Sequence, residues 1–502
     1  MTSRTVPLDL DADAFRAIGH RLVDRIADHL AGLSSLRVTS GDSVAAVRDV
    51  LGRSALPARG QDAGALVERA TDLLLEHSLF NGHPRFWGFI TSSAAPIGIL
   101  ADLLAAGINP NLGGWILSPA ASEIERQTVQ WIAELIGYPA DTGGLLVSGG
   151  NVANFVGFWA GRRAKTPWDL RTNGYDESAQ PVRVYTSRET HTWIHKAADL
   201  SGMGTNAIRW IDTDRALRMD VRALRAQIEA DRANGDLPLL IVGTAGSVST
   251  GAIDPLREIE AVCREHDLWF HVDGAYGAPA AALPEADPDL KALALADSVA
   301  IDPHKWLYSP LEAGCALVRD ARALRDTFSW HPPYYPERED AVDEAPIYYH
   351  EYGPQNSRGF RALKVWLGLQ HAGRDGAVQM IRDDIRLARR MYDLAAADPE
   401  LEAATHGLSI ATFRYVPADL ASTIGTEATE AVLDALNRAL VERLQQEGEV
   451  FVSNAVIADR FWLRACIVNF RTTEADVDAL PEIVKRAGRA IDAGRRAVPA
   501  RE

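Results

Sequence analysis

The sequence predicts an α/β fold: a mostly parallel central sheet with helices on both faces, then a smaller α+β unit. Three observations carry this. Short apolar runs bounded by turn residues (Val182–Thr186, Leu239–Gly243, Leu268–Asp273, Ser298–Ile301) alternate with helical stretches such as Leu256–His266. Near-continuous apolar runs are what strands covered on both faces require. The 502 residues, 47% hydrophobic and 24% charged, match a soluble globular chain of two to four units.

Taken in order, Phe15, Ile18, Leu22, Ile26, Leu30 and Leu33 recur at three- and four-residue steps, giving one apolar helix face. Its own chain or a second subunit can bury that face. A Gly/Pro/Ala-rich stretch, Leu51–Gly64, reads as a linker. Strand–helix alternation fills 85–372. After Gly373 a long helix carries Met380, Ile381, Ile385, Leu387, Ala388 and Met391, followed by strand-like runs at Leu408–Phe413 and Phe461–Phe470 and a terminal helix from Glu474. The division is therefore 1–84, 85–372 and 373–502.

A net charge of −16 repels phosphate backbones, so no nucleic-acid partner is expected. Three scattered cysteines (Cys263, Cys315, Cys466) make neither a disulfide framework nor a zinc pattern and suit a reducing compartment. The amino terminus lacks a signal-peptide core, and the apolar stretch Gly88–Gly107 is broken by Ser92, Ser93, Pro96 and Asp102. The expectation is a cytoplasmic protein with no membrane partner.

In parallel sheets ligands bind beyond the strands' carboxyl ends, and four positions there carry chemistry. Gly143–Asn151, before the helical stretch Val152–Arg163, offers backbone N–H groups to an anion, or is a plain glycine turn. Asp273 closes a strand apolar enough to desolvate a carboxylate, unless it only caps the next turn. Lys305, pinned by Pro303 between His304 and Trp306, is a candidate amine nucleophile or a snorkelling surface lysine. His191 offers a flat ring; with His195 it lacks a carboxylate ligand, so metal is rejected. An anion cradle, a buried carboxylate, a stacking ring and an amine are what a pyridoxal phosphate site needs.

The motifs go further. His83–Phe86, Leu117–Glu125, Gly149–Asn154, Thr190–Lys196, Thr250–Asp254, His271–Tyr276, Pro303–Trp306, Phe360–Trp366 and Leu463–Cys466 together resemble the group II pyridoxal-phosphate-dependent amino acid decarboxylases, the aromatic-L-amino-acid decarboxylases in particular. The Pro-His-Lys-Trp and His-Val-Asp-x-Ala-Tyr elements are the most specific. The resemblance implies a fold-type I (aspartate aminotransferase-like) homodimer with an embracing N-terminal helical segment. It implies pyridoxal 5'-phosphate as cofactor and decarboxylation of an aromatic L-amino acid to the amine and CO2.

It also implies roles. Lys305 forms the Schiff base, Asp273 pairs with the pyridinium and His191 stacks on the ring. Gly150, Asn151, Ala275, Asp302 and His304 complete the cofactor site. Asn151 stands where serine is usual, and Val248 where a threonine is, with Ser247 or Ser249 to compensate. Tyr334, on a Pro-rich loop, is the proton donor; phenylalanine there marks related aldehyde synthases. Trp87, Phe89, Ser92 and Gly113, with His191, are the substrate-pocket candidates, in segments that also hold His83, Phe86, Asn111 and Trp115. Gly113 makes room for indole, whereas Ser357 favours phenol. The alternatives are an aldehyde synthase, a decarboxylase of non-aromatic amino acids, an aminotransferase using Arg464 or Arg471, and a silent partner subunit.

Overall fold

The computed structural model describes residues 6–175, 179–330 and 346–497. Its centre is a seven-stranded sheet made of β1 (Gly143–Val147), β2 (Val182–Ser187), β3 (Ile208–Ile211), β4 (Leu237–Thr244), β5 (Trp269–Asp273), β6 (Ser298–Ile301) and β7 (Gly314–Val318). The strands lie in the order β1-β7-β6-β5-β4-β2-β3. Four pairings are parallel, and β7 alone runs against its neighbours β6 and β1.

Side-chain alternation along β4 shows why both faces are covered. Ile241 packs with Val129, Ile132, Ile259 and Val262, while Leu240 and Val242 pack with Val156, Phe158, Trp193 and Ile194. Each face removes apolar surface from water at about 25 cal/mol per Å2, the main term holding sheet and helices together. The helix Leu256–His266 has the span the periodicity predicts.

A second sheet holds β8 (Leu401–Gly407), β9 (Ile410–Tyr415), β10 (Ser453–Ile457) and β11 (Arg460–Cys466), antiparallel in the order β10-β11-β9-β8. The apolar run Leu408–Phe413 is not one strand: Leu408 and Ser409 form the tip of the β8–β9 hairpin, with Leu408 at φ +48°. The run Phe461–Phe470 likewise stops being strand at Cys466. The long helix spans Ala362–Ala397 and breaks at Gly373 (φ +66°), where the sequence places its start.

The hairpin tip presses on the turn after β4. A Cβ on Gly251 would fall 2.1 Å from the Gly407 carbonyl oxygen, and one on Gly407 would fall 2.5 Å from that of Thr250. Nearby, the Tyr276 hydroxyl lies 2.7 Å from Ser409 Oγ and accepts the Ser409 N–H at 2.9 Å. The two sheets therefore meet backbone to backbone beside the loops that follow β4 and β5.

The N-terminal helix Ala12–Gly32 buries none of its residues, with Asp11 capping its start. Arg21 and Arg25 tie it to Glu68 on the helix Ala63–Glu76. No helix of the described residues is long and apolar enough to cross a membrane.

Candidate active site

The loops leaving β1, β2, β4, β5 and β6 converge on one cavity of about 690 Å3. His191, Asp273, Gly150, Asn151, Ala275, Asp302, His304 and Lys305 all line it. Five separate stretches of chain meet there because parallel strands bring their carboxyl ends to one edge of the sheet.

From β1 the chain turns at Gly149 (φ +122°) into the helix Gly150–Lys165. Among the described residues no side chain caps that helix, so its first N–H groups are left open to an anion. Gly149 is held to glycine by its backbone conformation and Gly150 by space. A Cβ on Gly150 would lie 2.5 Å from Asp302 Oδ2 and 3.2 Å from the Ala275 Cβ, and one on Gly149 would lie 3.3 Å from His304 Cε1.

At the end of β5, Asp273 is 7% exposed. Its Oδ2 accepts the Trp193 indole N–H at 2.7 Å and its Oδ1 the Ala275 N–H at 3.2 Å. Two strand residues earlier, His271 lies 2.8 Å from both Asn154 Oδ1 and Ser298 Oγ. Asn154 Nδ2 donates to the Gly150 carbonyl, so its Oδ1 receives the His271 Nε2–H, which fixes a neutral tautomer. Burial pushes the His271 pKa down to about 4. Burial likewise lowers His191, which remains an uncharged ring at neutral pH.

After β6, the Lys305 ammonium lies 2.9 Å from Asp302 Oδ2. Asp302 is buried, and its Oδ1 has no hydrogen-bond partner among the described residues. His304 Nδ1 accepts the Ala313 N–H, and burial lowers its pKa. Ser92 Oγ donates to the His304 carbonyl at 2.8 Å, so it braces the lysine loop from outside the cavity.

The expected substrate pocket fares differently: of its candidates only His191 lines the cavity among the described residues. Trp87 is fully buried in the core of the second sheet, donating to Thr472 Oγ1, because it packs with Phe413, Leu463 and Val484. At Gly113 a Cβ would meet the Asn356 carbonyl oxygen at 1.9 Å, so close backbone packing accounts for the glycine. Phe89 (φ +52°) is 58% exposed beside Phe451. Arg464 is buried, donating to the Phe89 carbonyl and Ser453 Oγ. Tyr334 lies outside the described residues. Val248 does line the cavity, while Ser247 is turned into its own loop toward Thr250.

Sequence reasoning assigned nothing to Trp193, Asn154 or Glu189. Glu189 also lines the cavity; burial raises its pKa and Ser249 hydrogen-bonds it. Trp193 was findable: it sits in the Thr190–Lys196 motif, and a strand-end carboxylate needs a donor.

The donor set fits pyridoxal phosphate: a glycine cradle with free N–H groups for the phosphate, a carboxylate for the ring nitrogen, a neutral ring and an amine. A doubly wound sheet presenting these groups beyond its strand ends defines the aspartate aminotransferase-like class of pyridoxal phosphate enzymes. Comparison with known proteins narrows the class. The Pyridoxal-dependent decarboxylase conserved domain matches residues 50–416, and the chain belongs to that family. It is 34% identical over 94% of both chains to an aromatic-L-amino-acid decarboxylase of Bacillus atrophaeus. It is 29% identical over 81% of both chains to a 4-hydroxyphenylacetaldehyde synthase of Rhodiola rosea. The crystal structure of Oryza sativa TDC with PLP and tryptamine superposes with a TM-score of 0.88 at 27% identity, covering 97% of this chain and 100% of that one.

Proposed function

We propose that this chain removes CO2 from an aromatic L-amino acid, releasing the amine, with Lys305 holding the cofactor. Lys305, Asp273 and the open helix start at Gly150 sharing one cavity carries the reading; the names of the relatives supply the aromatic substrate. Bound pyridoxal phosphate supplies an electron sink for the pair left behind when CO2 departs. The chain's own residues do the rest. The free N–H groups of residues 150 onward, at the positive end of a 16-residue helix, hold the phosphate. Asp273, aimed by the Trp193 N–H, contributes the negative charge that keeps a proton on a pyridine nitrogen. A neutral His191 presents a flat face without placing a competing positive charge beside that proton. Asp302 keeps the Lys305 amine within the cavity and takes part in its charge balance.

The reading also includes Tyr334 as proton donor, on resemblance alone, and a division into a dimerisation segment (1–84), a cofactor-binding unit (85–372) and a small unit (373–502). The two sheets falling in the second and third spans support that division. A homodimer is supported by uncovered apolar side chains: Phe15 is 64% exposed, as are Leu103 (57%) and Ile108 (69%) on the helix Pro96–Ile108 and Ile116 (71%) just beyond. Sedimentation of the active enzyme as a monomer would refute the dimer.

Borohydride reduction of the cofactor-loaded enzyme followed by peptide mapping tests the central assignment. The label is expected on Lys305, and Lys305→Ala is expected to lose both label and amine product. An unlabelled Lys305 overturns the proposal, and CO2 release confined to acidic or basic amino acids overturns its aromatic part.

A further inference from the structure

Beneath the lysine loop lies a carboxylate that the reaction above does not use. Asp384, on the helix Ala362–Ala397, is 1% exposed. Its Oδ2 accepts two hydrogen bonds, from the Trp306 indole N–H at 2.9 Å and from the Tyr308 hydroxyl at 2.7 Å. The Asn469 backbone N–H also donates to the carboxyl. Among the described residues, ionisable groups that interact with it include Asp383, Tyr308 and Cys466.

Trp306 and Tyr308 stand one and three residues after Lys305. The Tyr308 N–H donates back to the Lys305 carbonyl at 3.1 Å, and Lys305 N–H to the Asp302 carbonyl at 2.8 Å, so residues 302–308 form two consecutive tight turns. Tyr308 closes the second turn at φ +52°, a left-handed conformation that costs a bulky residue about 1 kcal/mol or more. Such a backbone persists only where its surroundings hold it, and here the hydroxyl is held by Asp384. The Trp306 ring is stacked on Tyr276 at 4.9 Å and 16°, and Tyr276 is bonded to Ser409 at the hairpin tip. Side chains flanking Lys305 are thus both anchored on one buried oxygen, and one of them is also clamped from the second sheet.

We propose that Asp384 is a positioning residue for Lys305: by anchoring Trp306 and Tyr308 it sets the turn from which the amine reaches the cavity. The inference rests on the reading of Lys305 as the cofactor lysine. Its effect is transmitted through the turn, so it bears on how the amine is aimed and not on substrate affinity. A displacement of reacting groups by about 1 Å costs on the order of 100-fold in rate.

The test compares Asp384→Ala, Tyr308→Phe, their combination and Leu387→Ala, a core truncation one turn further along the same helix. Three readouts are taken on holoenzyme: kcat and KM separately, the pH midpoint of the visible absorbance of lysine-bound cofactor, and thermal stability. Asp384→Ala and Tyr308→Phe should each lower kcat about 10-fold or more with KM within about 2-fold, and should move the absorbance midpoint. The combined variant should be no worse than Asp384→Ala alone, because both changes cut one linkage. Leu387→Ala should lose stability and leave the midpoint in place. Should the wild type carry its label on Lys305 and the midpoint stay fixed in both variants, the inference is wrong while the functional reading stands. Should Lys305 be unlabelled in the wild type, the functional reading fails and takes this inference with it.

Discussion

Gly150→Ala is the sharpest test of the phosphate cradle. The added Cβ would stand 2.5 Å from Asp302 Oδ2, against about 3.5 Å for an ordinary non-bonded contact, so roughly 1 Å must be found. Asp302 cannot supply it cheaply, because the same oxygen holds the Lys305 ammonium at 2.9 Å and the residue is 2% exposed. The helix start must move instead, and its N–H groups lose register with the phosphate. One charge-assisted hydrogen bond lost is about 1.5–3 kcal/mol, equivalent to roughly 10- to 100-fold weaker cofactor binding. The assay is titration of cofactor-stripped protein with pyridoxal phosphate, followed by absorbance, beside thermal unfolding of both stripped proteins. Affinity within about 2-fold of the parent would refute the cradle geometry.

Two further outcomes are expected. His271 takes up a proton near pH 6.5 when unfolded but only near pH 4 when folded, so in that interval the unfolded chain binds more protons. The stability its neutral form contributes is complete above pH 6.5 and is lost as pH falls toward 4, by up to about 3 kcal/mol. His271→Phe should therefore flatten the dependence of urea-unfolding stability on pH across that window by roughly one proton, and identical slopes in both proteins would rule this out. Tyr334→Phe should divert product from amine toward aldehyde with consumption of oxygen; an amine-only product from that variant would remove Tyr334 from the mechanism.

Much of the fold was legible because apolar runs bounded by turns are what two-sided burial demands: β2, β4, β5, β6 and the helix Leu256–His266 all lie where the pattern puts them. β1 was not, since Gly143 and Gly144 read as loop; they are glycine because a Cβ on either would strike Ala321 or the Ala316 carbonyl. β3 and β10 are short and half-exposed, too weak a pattern to register. That the cofactor-site candidates line one cavity follows from their place in the sequence, just after strand ends. The burial of Trp87 could not be read from sequence: whether an aromatic faces a cavity or a core is settled by packing between distant segments, and Thr472 is 385 residues away. Asp384 was hidden by its surroundings in the sequence, where Arg382, Asp383 and Arg386 suggest a solvated helix face. So was the Glu125–Arg358 pair, which is buried and holds both the N–H and the carbonyl of Leu146 in β1.

The contact between Gly251 and Gly407 bears on how freely this enzyme can be recombined. The backbone of each loop leaves no room for a side chain on the other's glycine, so the two loops are matched as a pair. Grafting a C-terminal unit from a relative onto this N-terminal unit would import one half of that match without the other. A chimaera that exchanges the 245–251 turn together with the hairpin tip keeps the join intact, and the practical boundary for such swaps therefore runs through two places in the chain.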